Sequence, residues 1–137
     1  MAFSLLCPII DASTEIDIDS LEQGLREYFQ GIQGWSLDFD DDPFDDDSRH
    51  LVLRWPDWWI MFFVESGDEV LSDAQEMAQC ATEESRGAIA SSGRRIRVVF
   101  ADDDHRLYTN ETIYTMEFLE ALEGVRVFDP QRGEFMD

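Results

Sequence analysis

The sequence predicts an α+β fold: a single domain over residues 1–137, in which two or three helices pack on a mostly antiparallel mixed sheet of about five strands. Three observations predict this class. A length of 137 residues suits one domain with one core. A hydrophobic fraction of 44% excludes disorder as a general description. Stretches with the period of a strand and stretches with the period of a helix follow one another without the regular alternation of parallel α/β proteins.

The first part of the chain predicts a strand and a helix. Residues 2–10 are mostly apolar and predict the first strand, in which Pro8 favours an edge or an end. The stretch IDIDSLEQGLREYFQGIQG predicts the first helix, because its large apolar residues recur at helical spacing. Ser20 is the expected N-cap, since Gln23 follows three residues later and completes the pattern of a capping box.

Three strands follow, two of them rich in tryptophan. WSLDF, residues 35–39, alternates apolar and polar side chains and predicts a half-buried strand. HLVLRW, residues 50–55, and WWIMFFVE, residues 58–65, are joined at Pro56-Asp57 and predict an antiparallel hairpin. The second strand of the hairpin is apolar in both alternating phases, which predicts a central strand that is covered on each face.

The second half predicts two more helices and two more strands. Residues 67–92 are expected to form one long helix with an alanine-rich buried stripe, beside which Cys80 is expected to be a small core residue. RRIRVVF predicts a strand, and residues 112–123 predict a last helix that ends at Gly124. VRVF predicts a short final strand, and DPQRG predicts a turn.

The charge is the most unusual property of the chain. Its 31 acidic residues face only ten basic ones, all of them arginine, so that the formal net charge is −21. Such a charge repels nucleic acid and anionic membranes and attracts a cationic partner. No apolar run approaches the length of a membrane span, and the start MAFSLLCPII lacks the basic region of a signal peptide. We therefore expect a cytoplasmic protein.

The sequence predicts no enzyme, no cofactor and no metal site. Asp38, Asp40 and Asp42 have the spacing of the first three ligands of a calcium-binding EF-hand. However, Pro43 stands where that loop needs glycine, and Arg49 stands where it needs glutamate. The two histidines and two cysteines have no metal-type spacing, and the motifs of nucleophile elbows, phosphate-binding loops and dinucleotide folds do not occur.

The acidic stretch DFDDDPFDDD, residues 38–47, leaves two interpretations open. It is either a solvated loop without a partner or a recognition surface that steers a basic protein. Recognition also requires aromatic anchors, which the tryptophans nearby could supply, although at least two of them are expected to fill the core. The predicted partner-binding residues are Asp40, Asp41, Asp42, Phe44, Asp45, Asp46, Asp47, Trp55, Trp59, Asp102, Asp103 and Asp104.

Three strand arginines are also expected on the surface. Arg54, Arg97 and Arg126 lie in the phase of their strands that does not face the core, so they could line one face of the sheet together. There they would neutralise nearby carboxylates or stack on Trp59. Such a surface has patterned charge, which fits a specific protein partner better than a uniformly negative surface does.

The chain resembles the immunity proteins of bacterial polymorphic toxin systems, including those paired with type VI secretion effectors. The resemblance lies in the small, lysine-free, strongly acidic α+β composition with a tryptophan-rich hairpin. The stretch FLEALEGVRVFDPQRGEF, residues 118–135, is similar to the ends of small proteins from such toxin loci. The resemblance implies a cytosolic protein that binds one cognate toxin domain and blocks its active site or the path of its substrate.

A second hypothesis is an acidic DNA mimic that inhibits a nucleic-acid-binding protein. A mimic should spread its carboxylates in spaced rows over an elongated surface, whereas an antidote should concentrate them near an aromatic patch. The carboxylates of this chain are grouped in one main loop and one turn, which favours the antidote. A small enzyme, the third hypothesis, would need a pocket with convergent polar groups.

Overall fold

The structure is a computed structural model that describes residues 3–11, 13–42 and 45–136, with the side chains of residues 41–48 left undescribed. In chain order the elements are β1 (Phe3–Pro8), α1 (Ile18–Phe29), β2 (Ser36–Asp42), β3 (Asp45–Trp55), β4 (Trp58–Ser66), α2 (Asp68–Ala78), α3 (Glu83–Ala90), β5 (Arg94–Phe100), α4 (Thr109–Glu120), β6 (Val127–Asp129) and β7 (Glu134–Met136).

The strands form one antiparallel sheet in the order β2-β3-β4-β5-β1-β6-β7. The predicted α+β class is therefore confirmed, but the described residues form seven strands instead of about five, and four helices instead of two or three. β7 was not predicted because three residues beyond the DPQRG turn are too few to show a period. Within the described residues, no helix has the length and apolar content that crossing a bilayer requires.

The predicted long helix over residues 67–92 is wrong, since two helices meet there. Thr82 adopts an extended backbone, and Glu83 and Glu84 occupy the first turn of α3, where negative charge is favourable. The side chain of Arg86 reaches back to the carbonyls of Ala78 and Ala81 at 3.3 Å each and satisfies the end of α2. Cys80 lies in this connection and is exposed, so it is not the core residue that was expected.

The first helix begins one turn before the predicted N-cap. Asp17 is the N-cap: its carboxylate accepts a hydrogen bond from the backbone N–H of Ser20 at 2.8 Å. The Ser20 hydroxyl in turn accepts one from the backbone N–H of Asp17 at 3.0 Å. The pair forms a reciprocal capping box, in which Ser20 takes the third helical position that glutamate or glutamine more often holds. At the other end, the indole N–H of Trp35 donates to the carbonyls of Phe29 and Ile32.

One face of the sheet, here called the core face, carries the main hydrophobic core. Alternate residues of β1, β3, β4 and β5 point to it, and helices α1 and α4 cover it. Its fully buried members include Leu53, Ile60, Phe62, Val98 and Phe100.

The two tryptophans of the β3–β4 turn also belong to the core face. Trp55 is 7% exposed and Trp58 is 3% exposed, which confirms the expectation that at least two tryptophans fill the core. The Trp58 ring stacks on the ring of Tyr108 at a centroid distance of 4.8 Å, and its indole N–H donates to the carbonyl of Ala101 at 2.9 Å.

The second face of the sheet is only partly covered. Helices α2 and α3 pack Ala74, Met77, Ala78 and Ile89 against Phe128 and the neighbouring Leu6, over the β1–β6 end of the sheet. Towards β2 the same face is lined by residues that belong to neither of the two clusters of packed apolar side chains. The sheet thus has one filled face and one half-filled face, and the unfilled part borders the acidic stretch.

Strand β2 is an edge of the sheet, because β3 is its only neighbour among the described strands. It carries Asp38 and Asp40 on the second face and Leu37 on the core face. The guanidinium of Arg26 in α1 donates to the backbone carbonyl of Leu37 at 2.7 Å and also contacts Glu22 at 3.2 Å. Helix α1 therefore contacts β2 through a hydrogen bond to the backbone of the strand as well as through packing in the core.

Candidate protein interface

Most of the acidic stretch belongs to strands β2 and β3, of which β2 extends to Asp42 and β3 begins at Asp45. The pairing of β2 with β3 runs from Ser36 opposite Arg54 to Asp42 opposite Asp45, with a register shift after Asp41. The sequence predicted that the strands end at residue 39 and resume at residue 50. The pairing continues past that range, with Asp40 opposite His50 and Asp41 opposite Arg49, and opposite charges in a cross-strand pair such as Asp41–Arg49 are favourable.

We call residues 40–42 and 45–47 the acidic ribbon. Its backbone is described as strand up to residue 42 and from residue 45, while Phe44 lies outside the described residues. The side chains of Asp41, Asp42, Asp45, Asp46 and Asp47 also lie outside the description, so their proposed contacts with a partner stay predictions. Asp40 is described, and its side chain is 52% exposed.

The second acidic cluster, Asp102 to Asp104, lies at the other end of the sheet. It follows Phe100 of β5, which pairs with Ile60 near the β3–β4 turn, whereas the acidic ribbon lies at the opposite end of β3, where that strand begins. Strand β3 has 11 residues, so the two clusters are about 30 Å apart along it. The predicted binding residues therefore do not converge on one patch.

Asp103 has a structural role in the turn before α4. Its two carboxylate oxygens accept hydrogen bonds from the backbone N–H groups of Leu107 and Tyr108, at 2.9 Å each. These contacts hold the chain where α4 begins, at a helix end whose N–H groups lack partners within the helix. Asp102 and Asp104 are exposed beside it.

The uncovered part of the second sheet face adjoins the acidic ribbon, and we call it the open face. Strands β2 to β5 build it, because residues of one phase in each strand point to this side. Three rows of paired residues cross it. The open face comprises Asp38, Asp40, His50, Val52, Arg54, Trp59, Met61, Phe63, Arg97 and Val99.

The centre of the open face is apolar and accessible. Trp59, Met61, Phe63 and Val99 are each partly exposed, and none of them belongs to either packed core. Val52, which also points to the open face, is buried. The prediction that β4 is covered on both faces is therefore wrong for this half of the sheet, because α2 and α3 lie over its other end.

One row of the open face is a stack of aromatic and charged groups. The His50 ring lies on the Phe63 ring at 4.6 Å between centroids and an angle of 18°. The Arg97 guanidinium carbon lies 4.1 Å from the centroid of Phe63. The Asp40 carboxylate is 3.9 Å from His50 Nε2 and 3.8 Å from the guanidinium of Arg54. Phe63 is thereby held in place while it stays accessible.

A charged network fixes the end of this row nearest α2. Glu65 accepts hydrogen bonds from Arg97 at 3.1 Å and from Arg95 at 2.9 Å, and Arg95 also donates to Asp73 at 2.8 Å. Burial works to lower the pKa of Arg95, but its hydrogen bonds to Asp73 and Glu65 outweigh burial and raise the pKa above its usual value. Arg95 is thus held between Glu65 of β4 and Asp73 of α2.

The candidate anchors and arginines differ in their positions. Trp59 lies on the open face and stays accessible, whereas Trp55 packs in the core against Phe29, Trp58 and Tyr108. Arg54 and Arg97 do share the second face, as the sequence suggested, but Arg97 stacks on Phe63 and not on Trp59. Arg126 is directed to α3, where it donates to the hydroxyl of Ser85.

The other clefts of the molecule are lined by paired charges or by apolar side chains. A cleft of about 640 Å³ lies where β3 to β5 meet the starts of α1 and α2, and its lining includes Arg49, Glu65, Glu69 and Arg95. Within the described part of the chain, no three histidine, cysteine or acidic side chains are placed to hold a metal ion. Cys7 is fully buried, which raises the pKa of its thiol and keeps it protonated.

Met61, Phe63, Val99 and His50 were not predicted from the sequence to be members of a surface. Their signal was present in the strand WWIMFFVE, which is apolar in both phases, and it was interpreted as burial on both faces.

A scan of the chain against protein-family models found no match, and searches of curated proteins and of solved structures found none. The open face and the acidic ribbon together are thus the candidate functional site.

Proposed function

We propose that this chain is a cytosolic immunity protein that binds a basic, secreted toxin domain and neutralises it. It acts by covering the toxin's active site or the path of its substrate, and it catalyses no reaction. The observation that carries the proposal is the joining, within one sheet, of a strand-built acidic ribbon to an accessible aromatic face. Acidic groups attract and orient a basic partner, and aromatic anchors supply the affinity that charge alone does not.

The pattern of charge supports this function over DNA mimicry. A surface that imitates a phosphate backbone needs rows of carboxylates without intervening positive charge. On the open face, Arg54 and Arg97 are interspersed among the acids, and the described carboxylate of Asp40 lies near both Arg54 and His50. Mixed charge around an apolar centre is the usual composition of a protein–protein interface.

The first experiment asks whether this chain protects cells from a toxin. The protein encoded by the adjacent gene is expressed with and without this chain in a host that it harms. We expect growth only when both are present, and we expect the two proteins to purify together as a complex. An adjacent gene product that is neither basic nor toxic, or toxicity that persists in the presence of this chain, would contradict the proposal.

A second experiment tests the acidic ribbon. In one variant Asp41, Asp42, Asp45 and Asp46 are replaced by asparagine. We expect association with the toxin domain to slow on the order of tenfold at low salt, because steering by local charge is weakened, and we expect its salt dependence to become flatter. The measurement is the association rate constant by stopped-flow at several ionic strengths.

A matched control variant distinguishes the effect of charge within the ribbon from the effect of the net charge of the chain. It also loses four negative charges, but at exposed positions outside the ribbon, through substitution of Asp57, Glu76, Glu120 and Glu123 by the corresponding amides. We expect this control to change the association rate much less than the ribbon variant does. Equal effects of the two variants would show that only net charge matters and would remove the ribbon from the interface.

A further inference from the structure

The composition of the open face is that of an interface core. Tryptophan, phenylalanine, methionine and arginine are enriched in the buried centres of protein interfaces, and all four occur here in Trp59, Phe63, Met61 and Arg97. Tryptophan and arginine are also the residues that most often dominate binding energy. Apart from Pro8, the other apolar side chains of the described strands belong to the two packed clusters, so this patch is the part left for a second molecule to cover.

The side chains of the face are already held in position. Phe63 is stacked by His50 on the sheet and contacted by the guanidinium of Arg97, whose Nε–H is bound to Glu65. Long side chains that are fixed before binding lose less conformational entropy when a partner arrives. Because strands position these residues, the surface has a defined shape in the free protein.

The net charge of the chain limits which kinds of molecule could cover this face. A second copy would bring another net charge of −21 towards the first, and nucleic acid would be repelled in the same way. The open face is a surface of strand side chains, and none of its residues lines the cleft of about 640 Å³ described above, which disfavours a small apolar ligand. A basic protein is the occupant with complementary charge.

We infer that the toxin domain of the proposed function docks on the open face, with Met61 and Val99 at the centre, Trp59 near the β3–β4 turn and the acidic ribbon at the opposite border. The inference rests on the proposed function and adds the surface and the chemistry of the partner. The partner presents an apolar protrusion that covers Trp59, Met61 and Val99, and lysine or arginine side chains around it that reach Asp38, Asp40 and the ribbon. Contacts on the open face then determine the dissociation rate, and the charge of the acidic ribbon determines the association rate.

The test measures the kinetics of binding to the adjacent gene's toxin domain in a catalytically inactive form. Trp59→Ala is expected to raise Kd at least about 30-fold, which corresponds to loss of an interface hot spot. Most of the change should lie in the dissociation rate, since mutations within one interface act mainly there. The matched control is Ile113→Ala on α4, which removes a side chain of a residue that is 45% exposed, and it should change Kd less than twofold.

A second variant addresses the possibility that Trp59→Ala weakens binding by unfolding the protein. Met61→Lys combined with Val99→Lys places two positive charges on the face without removing its aromatic rings. We expect Kd for the basic domain to rise more than about 100-fold because like charges in an interface repel. Thermal unfolding and circular dichroism should show that the variant stays folded, since both positions are partly exposed.

The outcomes distinguish the surface from the function. If the wild-type chain binds the toxin domain and both face variants bind it equally well, the docking surface is elsewhere, while the immunity function stands. If the wild-type chain binds no basic toxin domain, the function and the surface are both wrong. A homodimer of the free chain that Met61→Lys dissociates would assign the face to self-association and overturn the inference.

Discussion

Two pairs of neighbouring residues in β4 show how differently the faces of one sheet are used. Trp58 and Phe62 point to the core face and are 3% and 0% exposed. Trp59 and Phe63, one position further along, point to the open face and are partly exposed. The side chains are chemically the same in each pair, so only the phase of the strand decides whether an aromatic ring contributes to folding or stays accessible.

The difference indicates that the two faces serve different needs. Large aromatic side chains on the core face are stabilised by the helices above them, whereas those on the open face leave apolar area in contact with water. An accessible apolar patch favours association, and monomeric proteins rarely keep a large one without a function for it. A net charge of −21 opposes unspecific association while the patch is free.

The largest expected effect is on the stability of the fold, and it tests the comparison of the two faces directly. Phe62→Ala should lower the free energy of unfolding by about 3–5 kcal/mol, because it leaves a cavity in a fully packed core. Phe63→Ala should lower it by no more than about 1.5 kcal/mol, since its ring is partly in water already. Urea denaturation at fixed ionic strength measures both values. Equal losses would show that something also covers the open face in the free protein.

The tryptophan pair should give a smaller contrast. Trp58→Phe removes the donor to the Ala101 carbonyl and part of the stack on Tyr108, so we expect a loss of about 1–3 kcal/mol. Trp59→Phe should stay within about 0.5 kcal/mol of the wild type. The measurement is again urea unfolding, followed by far-ultraviolet circular dichroism. A destabilising Trp59→Phe with a neutral Trp58→Phe would invert the assignment of the faces.

The smallest effect is expected within the open face itself. Arg97→Gln removes a cation–aromatic contact with Phe63 and one of the two partners of Glu65, which together should contribute about 0.5–1 kcal/mol at this partly exposed site. Arg54→Gln is the control, because its contact with Asp40 is long at 3.8 Å and exposed on both sides. Thermal unfolding should place the control within experimental error of the wild type.

The sequence predicted the fold class and most elements because the strands have clear periods. The alternation of WSLDF predicted a half-buried strand, and Leu37 of β2 is buried on the core face. Helix boundaries were less predictable, since the reciprocal Asp17–Ser20 cap and the break at Thr82 depend on short polar pairs. The acidic strands were missed because aspartate is rare in strands, and only the basic residues opposite them show why they pair.

The candidate site was less predictable than the fold. Sequence reasoning selected acidic residues and tryptophans by type, but it could not tell that Asp102 to Asp104 lie at the far end of β3 or that Trp55 is buried. It also could not tell how far α2 and α3 extend over the sheet, which is a property of tertiary packing. That extent alone leaves Met61, Phe63 and Val99 uncovered.

The arrangement at β2 bears on how the protein avoids aggregation. An edge strand offers free backbone groups to strands of other molecules, which is a route to fibrils. Here a carbonyl of that edge is already occupied by Arg26, and Asp38 and Asp40 add like charge to any incoming copy. These two features disfavour growth of the sheet from chain to chain at β2, although an accessible aromatic surface lies beside it.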